Sequence, residues 1–289
     1  MSRLLIALAL YFSLITSASS LEPAGKTRYV ANLEFAKRGS QSLKLDLAIP
    51  TTGTGPFPTL VCIHGGGWVR GSRQQMKQTI QSLALRGYVA VTIDYRLAPT
   101  SRFPAQIEDC KEAIRWLRAN AKKYRINPSR MGALGFSAGA HLACLVGVTK
   151  LEDGLEGKSK YPKESSEVQA VASFFGPVDL TDPTFEEIVR KNNLRPLLGG
   201  TLAQKKEAYQ KASPISYVRK GTPPFLFFHG TEDRIVPLKQ VQRMKKKLQS
   251  VGTSATLFTL PGEGHGWKGK MLVATIEQMM RFFDQTLKK

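Results

Sequence analysis

Residues 131–146 read MGALGFSAGAHLACLV, from Met131 to Val146. Arg130 to Gly135 has the character of a short buried strand. Ser137 to Val148 is a run of small and apolar residues suited to a packed helix. Between them stands Gly135-Phe136-Ser137-Ala138-Gly139, a G-x-S-x-G set. Its glycines permit a sharp, strained turn that holds the serine hydroxyl clear of the sheet. The helix start beside it offers backbone N–H groups to a developing negative charge. A bare G-x-S-x-G occurs by chance, and a glycine-rich packing turn would also read this way. The strand–turn–helix setting is what nominates Ser137 as a nucleophile.

Working outward, strands and helices alternate. Arg28 to Phe35 and Ser42 to Ile49 alternate like strands. Phe57 to Ile63 and the stretch YVAVTIDY at 88–95 are continuous apolar runs, as in strands buried on both faces. Helices are expected from Ser72 to about Arg86, over 103–124 and from Val236 to Ser250, with a closing helix from Val273 to Leu287. Further strands are expected at Val168–Phe175, Pro224–His229 and Ala255–Leu260. Asn127-Pro128-Ser129 reads as a turn and Lys150–Glu167 as an exposed loop. Residues 177–220 hold helix-like stretches without a strand and read as a small insertion over the working end of the sheet. This rhythm predicts an α/β fold with a mostly parallel sheet flanked by helices. No repeat or linker divides it, so residues 21–289 read as one domain.

Three more loops carry chemistry. His64-Gly65-Gly66-Gly67-Trp68 follows the strand ending at Ile63, and its glycines let backbone N–H groups converge, as an oxyanion requires. No Lys-Ser/Thr pair follows, which argues against a phosphate loop. A serine hydroxyl needs a base, and the chain has 4 histidines. His64 belongs to the glycine loop, His141 lies one helical turn beyond Ser137 and His229 ends a strand. His265, in Gly262-Glu263-Gly264-His265-Gly266-Trp267, is left as the base. Asp233, in His229-Gly230-Thr231-Glu232-Asp233, is favoured to orient it, and Ser137, Asp233, His265 is the chain order expected of such a triad. Glu232, Glu263 and Asp179 are the alternative acids. Trp68, Trp267 and residues 150–220 are expected to shape the pocket. No metal or cofactor is expected, since the histidines lack metal-ligand spacing.

Composition bounds the rest. The 289 residues are 42% hydrophobic, enough for a full core in one large domain and too much for a disordered chain. Lys+Arg number 42 against 22 Asp+Glu, a formal charge of +20. The cations are scattered, with clusters at Lys122–Arg125, Arg243–Lys247 and Lys288–Lys289. No aromatic-interleaved basic stripe accompanies them, so nucleic acid is not an expected partner. A basic surface could still associate with acidic polysaccharide or the cell envelope. Residues 1–20 read as a secretory signal: Arg3, the apolar run Leu4–Ile15, then small residues with cleavage expected near Ala18–Ser20. The run falls short of the roughly twenty residues a membrane span needs. The protein is therefore expected to be exported, to the periplasm or beyond. Cys62, Cys110 and Cys144 sit in apolar or helical stretches and read as three free thiols.

With these motifs in place, the chain resembles an α/β-hydrolase of the hormone-sensitive-lipase-like esterase group, in particular exported bacterial acetylxylan and feruloyl esterases. HGGGW at 64–68, DYRLAP at 94–99, GFSAGAHLA at 135–143, HGTEDRIVP at 229–237 and GEGHGW at 262–267 carry the resemblance. It implies a serine carboxylic-ester hydrolase acting through an acyl-enzyme on Ser137. Oxyanion donors would be the N–H groups of Gly65, Gly66 and Ala138, and Asp94 and Arg96 would be structural. Ala140 stands where a third glycine is common. The long N-terminal cap of lipolytic members has no counterpart, which implies an open site for short acyl groups, on a small or polysaccharide-linked ester. Arylformamidase- or peptidase-like amide hydrolysis is the alternative chemistry, and a non-catalytic binding protein on the same fold is the alternative class.

Overall fold

The computed structural model describes residues 26–288. The expected signal segment at 1–20 lies outside them. Eight strands form one sheet: β1 (Thr27–Arg38), β2 (Gln41–Pro50), β3 (Phe57–Ile63), β4 (Val89–Ile93), β5 (Ile126–Phe136), β6 (Ala170–Phe174), β7 (Phe225–Gly230) and β8 (Ala255–Leu260). Their order is β1-β2-β4-β3-β5-β6-β7-β8. The β1–β2 and β2–β4 pairs are antiparallel, and every pair from β4–β3 onward is parallel. This is the α/β-hydrolase fold.

Successive side chains of a strand face opposite sides of the sheet. Both sides of β3 are apolar, so both must be covered. Leu60 and Cys62 pack under α1 (Lys77–Leu85) and α5 (Gly269–Leu287), through Ile80, Leu83, Met279 and Phe283. Val61 and Ile63 face the side of α2 (Ala105–Ala119) and α3 (Ala138–Val148), with Ile107, Ile114, Leu142 and Leu145. α4 (Leu238–Ser250) adds Val241, Met244 and Leu248 to the same layer, at the spacing of one helical face. Cys62, Cys110 and Cys144 are buried free thiols.

Two expectations change in detail. The Asn127-Pro128-Ser129 turn does not separate a helix from a strand. It is a loop within β5, whose pairing to β3 jumps from Phe57↔Ile126 to Thr59↔Met131. There the Ser129 N–H donates to Asn127 Oδ1 at 3.0 Å, an Asx turn bulging from a strand that then resumes. The segment 150–167 does not approach the active-site cleft. It is held against α2, where the buried Lys111 pairs with Glu156 and Ser166 Oγ donates to Glu156 at 2.8 Å.

The insertion is as expected, a strandless excursion. It contains a helix over 187–198 with a π turn at Arg190–Leu194, the helix Lys206–Lys211 and a 3-10 turn at Pro214–Tyr217. Residues 185–193 wall the cleft at the C-terminal ends of the parallel strands, where ligands of open α/β sheets bind.

Candidate active site

Ser137 sits between β5 and α3 with φ 53° and ψ −120°. A side chain seldom adopts this conformation, and it survives only where its surroundings impose it. Here the Ser137 N–H donates to Phe174 O at 2.9 Å and its carbonyl accepts from His141 N at 3.0 Å. The flanking glycines are required by closeness. A Cβ on Gly139 would stand 2.1 Å from Ile63 O, and one on Gly135 would stand 2.3 Å from the Gly139 carbonyl. The turn therefore brings the start of α3 directly against the end of β3.

Ser137 Oγ lies 2.8 Å from His265 Nε2, and His265 Nδ1 lies 2.9 Å from Asp233 Oδ2. Asp233 can only accept at Oδ2, so Nδ1 carries the proton and Nε2 is free to take one from the serine. The acid is held from both sides. Its Oδ1 accepts from the backbone N–H groups of Ile235 and Val236, each at 2.9 Å. The Asp233 side chain has no exposed surface. Burial opposes ionisation, but hydrogen bonds from His229, His265 and the Val236 N–H outweigh it and hold the carboxyl well below the usual carboxylate range. The acid loop and the histidine loop are joined by Glu232 N donating to Glu263 O at 2.9 Å. The alternative acid Asp179 is engaged elsewhere, with Thr181 and Arg243.

The glycine loop lies across from this relay. A Cβ on Gly65 would be 2.8 Å from Phe136 O and 3.5 Å from Ser137 Cβ, so its backbone packs directly on the elbow. Gly66 turns at φ +116°. Among the described residues, the N–H groups of Gly65, Gly66 and Ala138 donate to no protein acceptor, and all three residues border the serine. The loop is fixed from beneath. Tyr95 stacks on His64 at 4.3 Å and donates to its carbonyl at 3.0 Å. Asp94 binds Arg73, and Arg96 binds Asp109, so both are structural as expected.

The resulting cleft has a volume of about 460 Å³. Trp68, Phe185, Ile188, Val189 and Ile235 give it apolar walls; Ser137 and His265 line it, with Arg70, Asn192 and Asn193. Trp68 donates through Nε1 to His141 Nδ1 at 3.2 Å, and His141 Nε2–H donates to Ala212 O at 2.7 Å. His141 is thus a satisfied packing residue that ties the cleft wall to the insertion. Trp267 does not line the cleft. It is buried behind Phe175, which sets its ring edge-on to His265 at 4.9 Å. Its indole N–H donates to Thr275 Oγ1 on α5.

Sequence reasoning missed His229. It is fully buried, its Nε2 lies 2.8 Å from Val236 O and 3.2 Å from Asp233 Oδ2, and it is a second histidine on the triad acid. The i,i+4 spacing of His229 and Asp233 across the loop was the available signal. Phe175, with φ 45°, had none. No cluster of three or more His, Cys, Asp or Glu that could hold a metal ion occurs among the described residues.

An α/β-hydrolase fold with a serine, histidine and aspartate in relay at the strand ends defines the class. The chain belongs to the BD-FAE family, whose profile matches residues 45–248. It is 36% identical over 218 residues to esterase LipC of Mycobacterium tuberculosis, covering 74% of this chain and 54% of that protein. Among solved structures, a bifunctional GH43-CE protein of Bacteroides eggerthii superposes with a TM-score of 0.78 at 32% identity, covering 89% of this chain and 38% of that one. A truncated carbohydrate esterase from gut microbiota superposes with a TM-score of 0.80 at 28% identity, covering 93% of this chain and 99% of that one. The chain spans about half the length of the curated relatives it matches.

Proposed function

We propose that the protein is a serine carboxylic-ester hydrolase for short-chain acyl esters, with carbohydrate-borne esters as its substrates. The observation that carries this is the unbroken relay from Ser137 Oγ through His265 to Asp233 at the floor of an open cleft. Ser137 attacks the ester carbonyl as His265 Nε2 takes its proton. The Nδ1–H stays on His265 and donates to ionised Asp233, which stabilises the imidazolium. The tetrahedral oxyanion is received by the N–H groups of Gly65, Gly66 and Ala138, where each donor typically lowers the barrier by about 3 kcal/mol. His265 then protonates the leaving alcohol. Water, activated by the same histidine, releases the acid from the acyl-enzyme.

The carbohydrate part of the reading is supported by the carbohydrate esterases among the structural relatives. The formal charge of +20 would concentrate the protein on acidic polysaccharide, an attraction that added salt would screen. Residues 1–20 support export, with cleavage near Ala18–Ser20; N-terminal sequencing of the secreted chain tests this.

The deciding assay is hydrolysis of p-nitrophenyl esters from acetyl to palmitoyl, followed by acetate release from acetylated xylan. We expect activity falling steeply beyond roughly six acyl carbons, as the walls of the cleft limit chain length, and its loss in Ser137→Ala. Hydrolysis of formamides but of no ester would replace the reading with amide hydrolysis. No turnover of either, with the variant indistinguishable from wild type, would leave a binding role.

A further inference from the structure

One cation of the cleft has no task in the chemistry above. Arg70 lines the cleft and is exposed, and no carboxylate lines it with Arg70. Arg73, three residues on, shows the contrast: it is buried and held by Asp46 and Asp94. Arg70 takes part in no ion pair among the described residues, yet its backbone is tightly placed. Its N–H donates to Gly66 O at 3.2 Å, and its carbonyl and Cγ close over Gly66 so that a Cβ there would lie 2.1 Å and 3.2 Å from them. The backbone and Cγ of Arg70 are therefore fixed against the loop that would receive the oxyanion, with the guanidinium beyond them free of any protein acceptor among the described residues. Asn192, also exposed, lines the cleft as well, as does Asn193, whose amide donates to Gly67 O at 3.4 Å. The remaining wall is apolar.

A guanidinium presents paired N–H donors that match a carboxylate, and an unpaired one beside a reacting centre selects for that group. We propose that Arg70 forms a carboxylate subsite at the rim of the cleft, so that the preferred substrates are esters carrying a carboxylate close to the scissile bond. This rests on the ester-hydrolase reading and narrows it. The carboxylate can belong to the alcohol, as in an acylated uronic-acid sugar, or to the acyl group, as in a dicarboxylic half-ester.

The experiment compares kcat/KM within two matched pairs: O-acetyl methyl glucuronoside against O-acetyl methyl glucoside, and ethyl hydrogen adipate against ethyl hexanoate. Wild type is expected to favour the anionic member of at least one pair about fivefold, as suits a charge-assisted contact at a solvent-exposed rim. That pair identifies which side carries the carboxylate. The ratio should fall to about one in Arg70→Gln, invert in Arg70→Glu and shrink in 0.5 M NaCl. Lys246→Gln, which removes the same unit of charge outside the cleft, should leave the ratio unmoved. Binding of the O-acetyl glucuronoside and of ethyl hydrogen adipate to Ser137→Ala, each with and without Arg70→Gln, reads the subsite without turnover on both sides of the ester. Absence of any ester hydrolysis would overturn the hydrolase reading while the titration still judged Arg70. A wild-type ratio near one in both pairs, a preferred pair whose ratio is unchanged in Arg70→Gln, or binding of both anionic ligands unaltered by Arg70→Gln in the titration would overturn the subsite.

Discussion

Replacing Asp233 with asparagine changes one atom, and the surrounding contacts say what that atom does. In the native protein four donors converge on the carboxylate: two backbone N–H groups on Oδ1, and His265 Nδ1 and His229 Nε2 on Oδ2. An amide can satisfy only one side. With its NH₂ toward the histidines it opposes the His229 N–H and donates to His265 Nδ1. The imidazole then holds its proton at Nε2 and has no lone pair for the serine. With its NH₂ toward the backbone it meets the Ile235 and Val236 N–H groups instead. The first arrangement keeps the backbone pair and costs the working tautomer, so the variant should fold and fail. A wrong tautomer in a triad costs about 10⁴ in kcat, equivalent to about 5 kcal/mol of barrier. The assay is kcat/KM on p-nitrophenyl acetate for Asp233→Asn, with circular dichroism and a thermal melt to show that the fold is kept. A folded variant within tenfold of wild type would refute the reasoning, since Asp233 would then not govern His265.

Further expectations concern stability and the cleft. His141 is fully buried and burial, only partly offset by its bond to Ala212 O, lowers its pKa to about 4. Below its unfolded pKa of about 6.5 the unfolded state binds a proton that the folded state refuses, so stability falls as pH drops from about 6.5 to 4, by up to roughly 3 kcal/mol. Urea melts across that range should show the slope, reduced in His141→Gln. Asp233 has the opposite disposition, a depressed folded pKa. Its stabilisation is complete above the unfolded value of about 3.9 and is lost as pH falls below it, so Asp233→Asn should flatten the acid limb of the stability curve. Trp68→Phe removes the donor to buried His141 Nδ1 and should cost about 1–3 kcal/mol in a denaturant melt. Arg73→Met takes the cation from Asp46, whose carboxylate is 3% exposed and keeps the Tyr29 hydroxyl and Asn32 N–H as donors; we expect about 3 kcal/mol of destabilisation by the same method.

Local chemistry was the part of this protein that the chain displayed openly. The elbow at Ser137 and the glycine loop at 64–67 need backbone conformations that few sequences allow, so glycines mark them at fixed offsets. The buried strands needed only apolar runs, and the insertion showed itself by the lack of one. Contacts between distant segments left no such trace. Nothing around Glu156 indicates that it would meet Lys111 and anchor 150–167 against α2 rather than near the cleft. Trp267 follows His265 closely, yet its place behind Phe175 is set by α5 and by the strained Phe175 backbone. His229 was passed over because a strand-end histidine has an ordinary packing explanation. Only the fold turns its Nε2 onto the acid that serves His265.

The central claim is that Ser137 is a nucleophile activated by His265. It is tested most directly by treating the protein with a fluorophosphonate and mapping the adduct by peptide mass spectrometry. The account predicts stoichiometric modification on the peptide containing Ser137, concurrent loss of ester hydrolysis, no adduct in Ser137→Ala and a labelling rate reduced at least a hundredfold in His265→Ala, the scale of general-base assistance. Ester hydrolysis persisting in a protein left unlabelled at Ser137, or labelling equally fast without His265, would contradict it.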